Sequence, residues 1–317
     1  MSSLSLSHVP TSPRDDAIQL YRAFKGFGCD NEAVIKILAH RDAMQRALIQ
    51  QEYSTMYSTD LLKKLASELR GKLETAVLLW MHEPASRDAI ILNESLSPDF
   101  LNLEAATELI CTRTVPQLQT LKQIYYSKFG THIERDIELQ TTGDHQKILL
   151  AYLNAPRYQG AEIDRGLVAE DAKALFKAGE KKLGTNEKIF VRIFSERSPA
   201  HLIAVSSAYH DMYGNSLNKA VKSETSGKLE LALLSILGCA KNPYKHFAKV
   251  LNKAMKGLGT DDTKLIRVIV TRTEIDMQYI KAEYYKKYGK TLNDEVQSET
   301  SGHYRTFLLS LLGPNHH

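Results

Sequence analysis

The sequence predicts an all-α fold made of four copies of one unit, with about five helices in each copy. Three observations predict it. Marker residues recur in register along the chain, apolar residues inside each copy fall at helical spacing, and strand-like alternation with turn pairs is absent.

The register is anchored on Arg41, Arg113, Arg197 and Arg272. Twelve residues after each comes a tyrosine: Tyr53, Tyr125, Tyr209 and Tyr284. Sixteen after comes another aromatic: Tyr57, Phe129, Tyr213 and Tyr288. Seventeen after stand Gly130, Gly214 and Gly289, with Ser58 as the exception, and thirty after stand Gly71, Gly143, Gly227 and Gly302. Positions kept in step four times define repeats over 14–85, 86–154, 169–243 and 244–315.

In chain order, the arm 1–13 is Ser- and Pro-rich and is expected to be poorly ordered. Repeat one closes on a helix carrying Leu73, Ala76, Val77 and Trp80. The arginine intervals are 72, 84 and 75, and the long one holds an insertion with Pro156, Gly160 and Gly166. This linker, 155–168, reads as a connector between two halves of two repeats each. Repeat three closes on Leu233, Leu234 and Leu237. Repeat four shows three stripes: Leu265, Ile266, Ile269 and Val270; Met277, Ile280, Tyr284 and Tyr288; Phe307, Leu308, Leu311 and Leu312. Aromatic stripes at helical spacing in every copy read as core packing, not as a ligand box.

Composition narrows the function. The 317 residues are 43% hydrophobic and 25% charged with net charge +4, a soluble globular balance without a nucleic-acid footprint. No apolar run approaches the roughly 18 residues of a membrane span, and the opening residues lack a signal-peptide core, so secretion is not expected. Cys29, Cys111 and Cys239 are odd in number and far apart, as in a cytosolic protein with reduced thiols. Cys111 and Cys239 read as packing residues, and Cys29 as the candidate for oxidation sensitivity.

The chemistry lies in Met255-Lys256-Gly257-Leu258-Gly259-Thr260-Asp261-Asp262. Its glycines predict a tight turn between two helices with carbonyls facing outward, and Thr260 is expected to cap the second helix. A hard cation suits such carbonyls, and Glu299, 40 residues beyond Gly259, supplies a carboxylate. Thirteen residues before each arginine stand Gly28, Gly184 and Gly259, but Phe100 in repeat two. Twenty-seven after stand Glu68, Glu224 and Glu299, but Gln140 in repeat two. Glycine and carboxylate are kept together or lost together, as shared coordination of one ion requires. Three carbonyls and a bidentate glutamate would give about five oxygens, whereas Ca²⁺ takes about six to eight. Water or an outside oxygen, such as a lipid phosphate, fills the rest. A single carboxylate leaves net positive charge that favours an anionic partner.

A fourfold repeat of about 70 residues, with Lys-Gly-Leu-Gly-Thr and a distant glutamate kept fully in repeat four and in altered form in repeats one and three, resembles the annexins across nearly the whole chain. The short arm, the altered repeat two and His40 beside Arg41 resemble the plant branch. The resemblance implies a curved disc of four five-helix repeats that binds acidic phospholipid through Ca²⁺ at its convex face. Carried over, the ligands in repeat four are Met255, Gly257, Gly259 and Glu299. In repeat one they are Phe24, Gly26, Gly28 and Glu68, with Cys29 replacing threonine and Asp30 as substitute cap. In repeat three they are Gly179, Lys182, Gly184 and Glu224, in a variant turn where Lys182 replaces the first glycine. Lys181 and Lys182 weaken that site or serve lipid headgroups directly.

The family's peroxidase association points to His40, which reads instead as a histidine at a helix end, without the distal pocket a haem needs. Its nucleotidase association finds no Gly-x-x-x-x-Gly-Lys loop, and Thr141-Thr142-Gly143-Asp144 reads as a repeat turn. Ile266-Arg267-Val268 resembles an actin-binding tripeptide, with Ile266 expected in the core. The expectation is a calcium-dependent binder of acidic phospholipid membranes, not an enzyme, cytoplasmic and peripheral on membranes when calcium rises. The alternatives are a scaffold for protein partners such as F-actin, or a calcium-permeable channel, which without spanning segments would need large refolding or lipid disruption.

Overall fold

The computed structural model describes residues 1–181 and 183–316, and Lys182 lies outside the described residues. Among the described residues, all regular structure is helical: twenty α-helices and one short 3-10 turn, in four runs of five helices. Repeat one is α1 (Pro13–Ala23), α2 (Asn31–Leu38), α3 (Ala43–Tyr57), α4 (Leu61–Glu68) and α5 (Gly71–Met81). Repeat two is α6 (Pro84–Ser95), α7 (Leu103–Cys111), α8 (Val115–Phe129), α9 (Ile133–Gln140) and α10 (Gly143–Asn154). Repeat three is α11 (Arg165–Ala178), α12 (Glu187–Glu196), α13 (Pro199–Tyr213), α14 (Leu217–Glu224) and α15 (Gly227–Lys241). Repeat four is α16 (Pro243–Met255), α17 (Asp262–Arg272), α18 (Met277–Tyr288), α19 (Leu292–Glu299) and α20 (Gly302–Leu312).

The recurring markers have local causes. Each third helix ends on a left-handed residue, Ser58 at φ 50°, Gly130 at 67°, Gly214 at 71° and Gly289 at 69°. Glycine takes that conformation without a Cβ clash, so Ser58 is the one strained cap of the four. Capping boxes start two of these helices, Asp42 with Gln45 and Thr114 with Gln117. The tyrosines twelve residues after the arginines are all buried, as core packing requires. Flat stacks lie beside two of them, Tyr21 on Tyr57 at 4.0 Å and Phe176 on Tyr213 at 3.8 Å.

The repeated arginines close each repeat on a carboxylate. Arg41 forks onto Asp16 at 2.7 and 2.9 Å, Arg113 onto Asp88 at 2.7 and 2.8 Å, and Arg197 onto Asp171 at 2.8 and 3.2 Å. In repeat four the matching position is Phe247, and Arg272 lies 4.4 Å over its ring while pairing with Asp276 at 2.6 Å. The guanidinium keeps a partner in each repeat, by charge in three and by charge with a ring face in the fourth.

The helices gather into two compact units that do not follow the order of the repeats. One unit joins Met1–Arg87 to Phe247–His317, and the other is Asp88–His246. In the first, α5 packs against α17 and α20, and α2 against α20. In the second, α10 packs against α12, and α7 against α15. Repeats one and four therefore share a core, as do two and three. The linker 155–168 is corrected accordingly: it lies inside the second unit rather than between the halves. Its Arg157 is buried, donating to the carbonyls of Tyr152 at 2.6 Å and Ser195 at 3.2 Å.

The first unit is centred on Trp80, whose indole donates to the Leu38 carbonyl at 2.8 Å. Arg46 stacks 3.8 Å from its ring and Arg87 5.3 Å from it. Both arginines face Glu274, at 2.8 and 3.7 Å. The arm also departs from expectation. Ser3 is buried, its amide donates to the Thr273 carbonyl at 2.9 Å, and its hydroxyl donates to the Leu311 carbonyl at 2.6 Å. The Gln278 amide donates to the Met1 carbonyl at 3.0 Å. One serine that satisfies two carbonyls of repeat four, with its amide and its hydroxyl, fixes a segment that composition alone reads as loose.

Candidate metal centre

Three loops join the first and second helices of repeats one, three and four. The Asp30 amide closes onto the Ala23 carbonyl at 2.9 Å and the Asp261 amide onto the Ala254 carbonyl at 2.8 Å. In repeat three the Asn186 amide closes onto the Ala178 carbonyl at 2.8 Å, so that loop is one residue longer. The extra residue also explains why Asp171 lies 26 residues before its arginine where Asp16 and Asp88 lie 25 before theirs.

The glycines turn these loops outward. Gly26 and Gly28 sit at φ 107° and 87°, Gly257 and Gly259 at 113° and 84°, and Gly184 at 82°. Side-chain-bearing residues avoid those values, so the carbonyls can point to solvent only because glycine stands there. Among the described residues, the carbonyls of these five glycines accept no hydrogen bond from the protein. At the loop tips, Phe27 and Leu258 between their glycines, and Leu183 just before Gly184, stand fully exposed at 114%, 109% and 103%.

The glutamates arrive at the last residue of each fourth helix. Thr260 Oγ1 donates to Glu299 Oε2 at 2.8 Å, and Thr185 Oγ1 donates to Glu224 Oε2 at 2.6 Å. Gly179 makes room for Glu224, since a Cβ there would meet its Cγ at 2.9 Å. The expected role of Thr260 as a helix cap is corrected. Asp261 caps α17 by accepting from the Lys264 amide, which frees the threonine to hold the carboxylate. In repeat one, where Cys29 replaces threonine, Asp30 caps α2 as expected, and Glu68 pairs with Lys64 at 2.8 Å. Burial, followed by Glu68 and Asp30, pushes the Cys29 thiol up to about 11. A thiol held in that form is a poorer nucleophile than a free cysteine.

A buried tyrosine stands behind each glutamate. Burial, followed by the nearby Tyr57, Tyr21 and Glu68, pushes Tyr53 up to about 12. Burial also raises Tyr284 to about 12, with Glu295, Tyr288 and Glu299 adding to it, and raises Tyr209, where Glu180 and Glu224 contribute. Repeat two differs throughout. Its loop is a 3-10 turn, Pro98–Phe100, closed by the Asn102 amide on the Ser95 carbonyl at 2.8 Å, and it has no residue at positive φ. Gln140 ends α9, and Tyr125 donates instead to Asp136.

Among the described residues, no three His, Cys, Asp or Glu side chains gather where they could hold a metal. The donor set is therefore backbone carbonyls plus one carboxylate, which fits a hard cation with open positions. In repeat four Met255, Gly257 and Gly259 share one loop, to which Thr260 ties Glu299; in repeat one Phe24, Gly26 and Gly28 share one loop, and Glu68 ends α4 in its pair with Lys64. Repeat three brings Gly179 and Gly184 to Glu224, while Lys182 lies outside the described residues. Sequence reading missed the threonine clamps and the arginine–aspartate forks, although the forks keep the same register and could have been found by counting.

Other readings have less to stand on. His40 Nδ1 is bonded to the Ser5 carbonyl at 2.7 Å. Ile266, Arg267 and Val268 are all buried, so the tripeptide offers no surface to F-actin. Among the described residues, no helix is long and apolar enough to cross a membrane.

Comparison with known proteins gives one consistent result. The annexin family model matches residues 15–80, 87–152, 170–236 and 246–311. Annexin D5 of Arabidopsis thaliana is 53% identical over 315 residues, covering 99% of this chain and all of that protein. Chicken annexin V, solved in complex with Zn²⁺, is 37% identical with a TM-score of 0.94, covering 99% of each chain. Calcium-bound annexin (Sm)1 is 28% identical with a TM-score of 0.83, covering 100% of this chain and 94% of that one. The chain belongs to the annexin family.

Proposed function

We propose that this chain binds acidic phospholipid surfaces in a calcium-dependent way, through the loops of repeats one, three and four. The observation that carries the reading is the composite loop: outward carbonyls on positive-φ glycines, a glutamate brought to them, and a fully exposed apolar side chain at the tip. Met255, Gly257, Gly259 and Glu299 would hold Ca²⁺ in repeat four, and Phe24, Gly26, Gly28 and Glu68 in repeat one. Gly179, Lys182, Gly184 and Glu224 would do so in repeat three. Bound Ca²⁺ supplies a positive centre with open positions for lipid phosphate.

The protein's own residues set the rest. Thr260 and Thr185 hold Glu299 and Glu224 at their loops, so less ordering remains when the ion arrives. Phe27, Leu183 and Leu258 leave water on contact with lipid, and burying one such side chain contributes about 1.5–3 kcal/mol. Lys25, Lys181 and Lys256 flank the tips and favour an anionic surface. Individually weak sites then act together. The calcium-bound state of the relative annexin (Sm)1 supports the choice of ion. A cytoplasmic protein that reaches membranes when calcium rises follows from this reading. Nothing in it calls for an enzyme or for nucleic acid.

The test is co-sedimentation with phosphatidylserine-containing vesicles, titrated in Ca²⁺. The protein should pellet only with calcium, and Glu299→Gln should raise the calcium requirement more than Glu224→Gln. Pelleting that ignores calcium would overturn the reading.

A further inference from the structure

We propose that the repeat-one and repeat-four sites form a coupled pair, with Asp262 as the joint between them. This rests on reading both loops as calcium sites. Asp262 is the first residue of α17, one position beyond the cap that closes the repeat-four loop. Its Oδ2 pairs with Lys72 Nζ at 2.7 Å, and its Oδ1 accepts from the Tyr304 hydroxyl at 2.8 Å. Lys72 Nζ also lies 5.9 Å from the Tyr304 ring centre. Lys72 follows Glu68 by four residues, and Tyr304 follows Glu299 by five. One carboxylate behind loop four is thus gripped by the two helices, α5 and α20, that begin just after the two site glutamates.

The grip gives each site a mechanical connection to the other. Glu68 is held by Lys64, so an ion in loop one must draw it away. Only Leu69, Arg70 and Gly71 separate Glu68 from Lys72, and a turn that short transmits the movement. Lys72 passes it to Asp262 and the adjoining Asp261, whose amide closes loop four on the Ala254 carbonyl. The Asp262 side chain is only 16% exposed although Lys72 is 60% exposed, so the carboxylate end of the pair is sheltered from screening. Any such linkage works equally in both directions. In the second unit the residue ten before the arginine of repeat two, the repeat without a site, is Leu103, which cannot accept from either side, although repeat three keeps a carboxylate there in Glu187. The Lys–Asp–Tyr grip of the first unit therefore has no counterpart at the start of α7.

Hydrogen exchange on the full chain, titrated with Ca²⁺ alone and without vesicles, reads the two loops separately. Calcium should protect amides within 24–30 and 255–261. Glu68→Gln should raise the calcium concentration for half-protection of 255–261 about threefold, the scale an ion pair with one exposed partner can transmit. On a Lys72→Gln background the same change should leave the repeat-four midpoint where Lys72→Gln alone puts it. A midpoint unmoved by Glu68→Gln, or a shift that survives Lys72→Gln, overturns the coupling while leaving the sites intact. Absence of protection in both loops overturns the calcium reading itself, and the coupling with it.

Discussion

At the scale of single residues, one substitution separates the best-kept loop from its partner. Thr260 holds Glu299, while Cys29 leaves Glu68 to Lys64. Cys29→Thr should therefore lower the calcium requirement of repeat one severalfold, read as half-protection of amides 24–30 in hydrogen exchange. A second prediction concerns His145, whose Nε2 meets Thr107 Oγ1 at 2.8 Å. Burial, followed by the charge of Lys228, pulls its pKa down to about 4. The unfolded chain takes the proton near pH 6.5 and the folded chain does not. Stability should then fall as pH drops from 6.5 towards 4, and His145→Gln should flatten that slope in denaturant titrations at pH 7 and pH 5. The site glutamates and glycines were legible in sequence because they keep their spacing in three copies. The role of Thr260 was not, because threonine before a helix reads first as a cap, and only the structure gives that task to Asp261.

At the scale of elements, the loop tip is a unit of its own. A phenylalanine or leucine held in full solvent between two positive-φ glycines does nothing for the core. Leu258→Ser and Phe27→Ser should each weaken vesicle binding about tenfold in co-sedimentation, roughly the loss of 1.4 kcal/mol of apolar burial. Calcium protection of the same loops without vesicles should stay unchanged. Five helices per repeat could be read from the stripes and glycine stops, since periodicity and caps are local. The arm could not. Its serines look solvated in sequence, and only the open carbonyls of Thr273 and Leu311, some 270 and 308 residues away, make Ser3 a core residue.

At the scale of the whole molecule, the pairing of repeats was hidden from the sequence. Four copies carry similar apolar faces, so any two could share a core. Buried charge decides one part of it: Arg46 of repeat one and Arg87 at the start of repeat two have their carboxylate, Glu274, in repeat four. Removing one partner of a buried pair typically costs about 3–5 kcal/mol. Glu274→Gln should destabilise the first unit on that scale, and a denaturant titration followed by Trp80 fluorescence measures it, since Trp80 lies between those arginines.

The grouping of repeat one with repeat four also sets an order in time. The second unit is continuous in sequence, whereas the first is split across it. On a ribosome repeat one and the start of α6 emerge with Arg46 and Arg87 still lacking their carboxylate, Glu274. At about 5–20 residues per second they wait roughly ten to forty seconds for Glu274. The interior unit can be finished before its flanks close, so nascent repeat one is the part of this chain most in need of shielding by a chaperone.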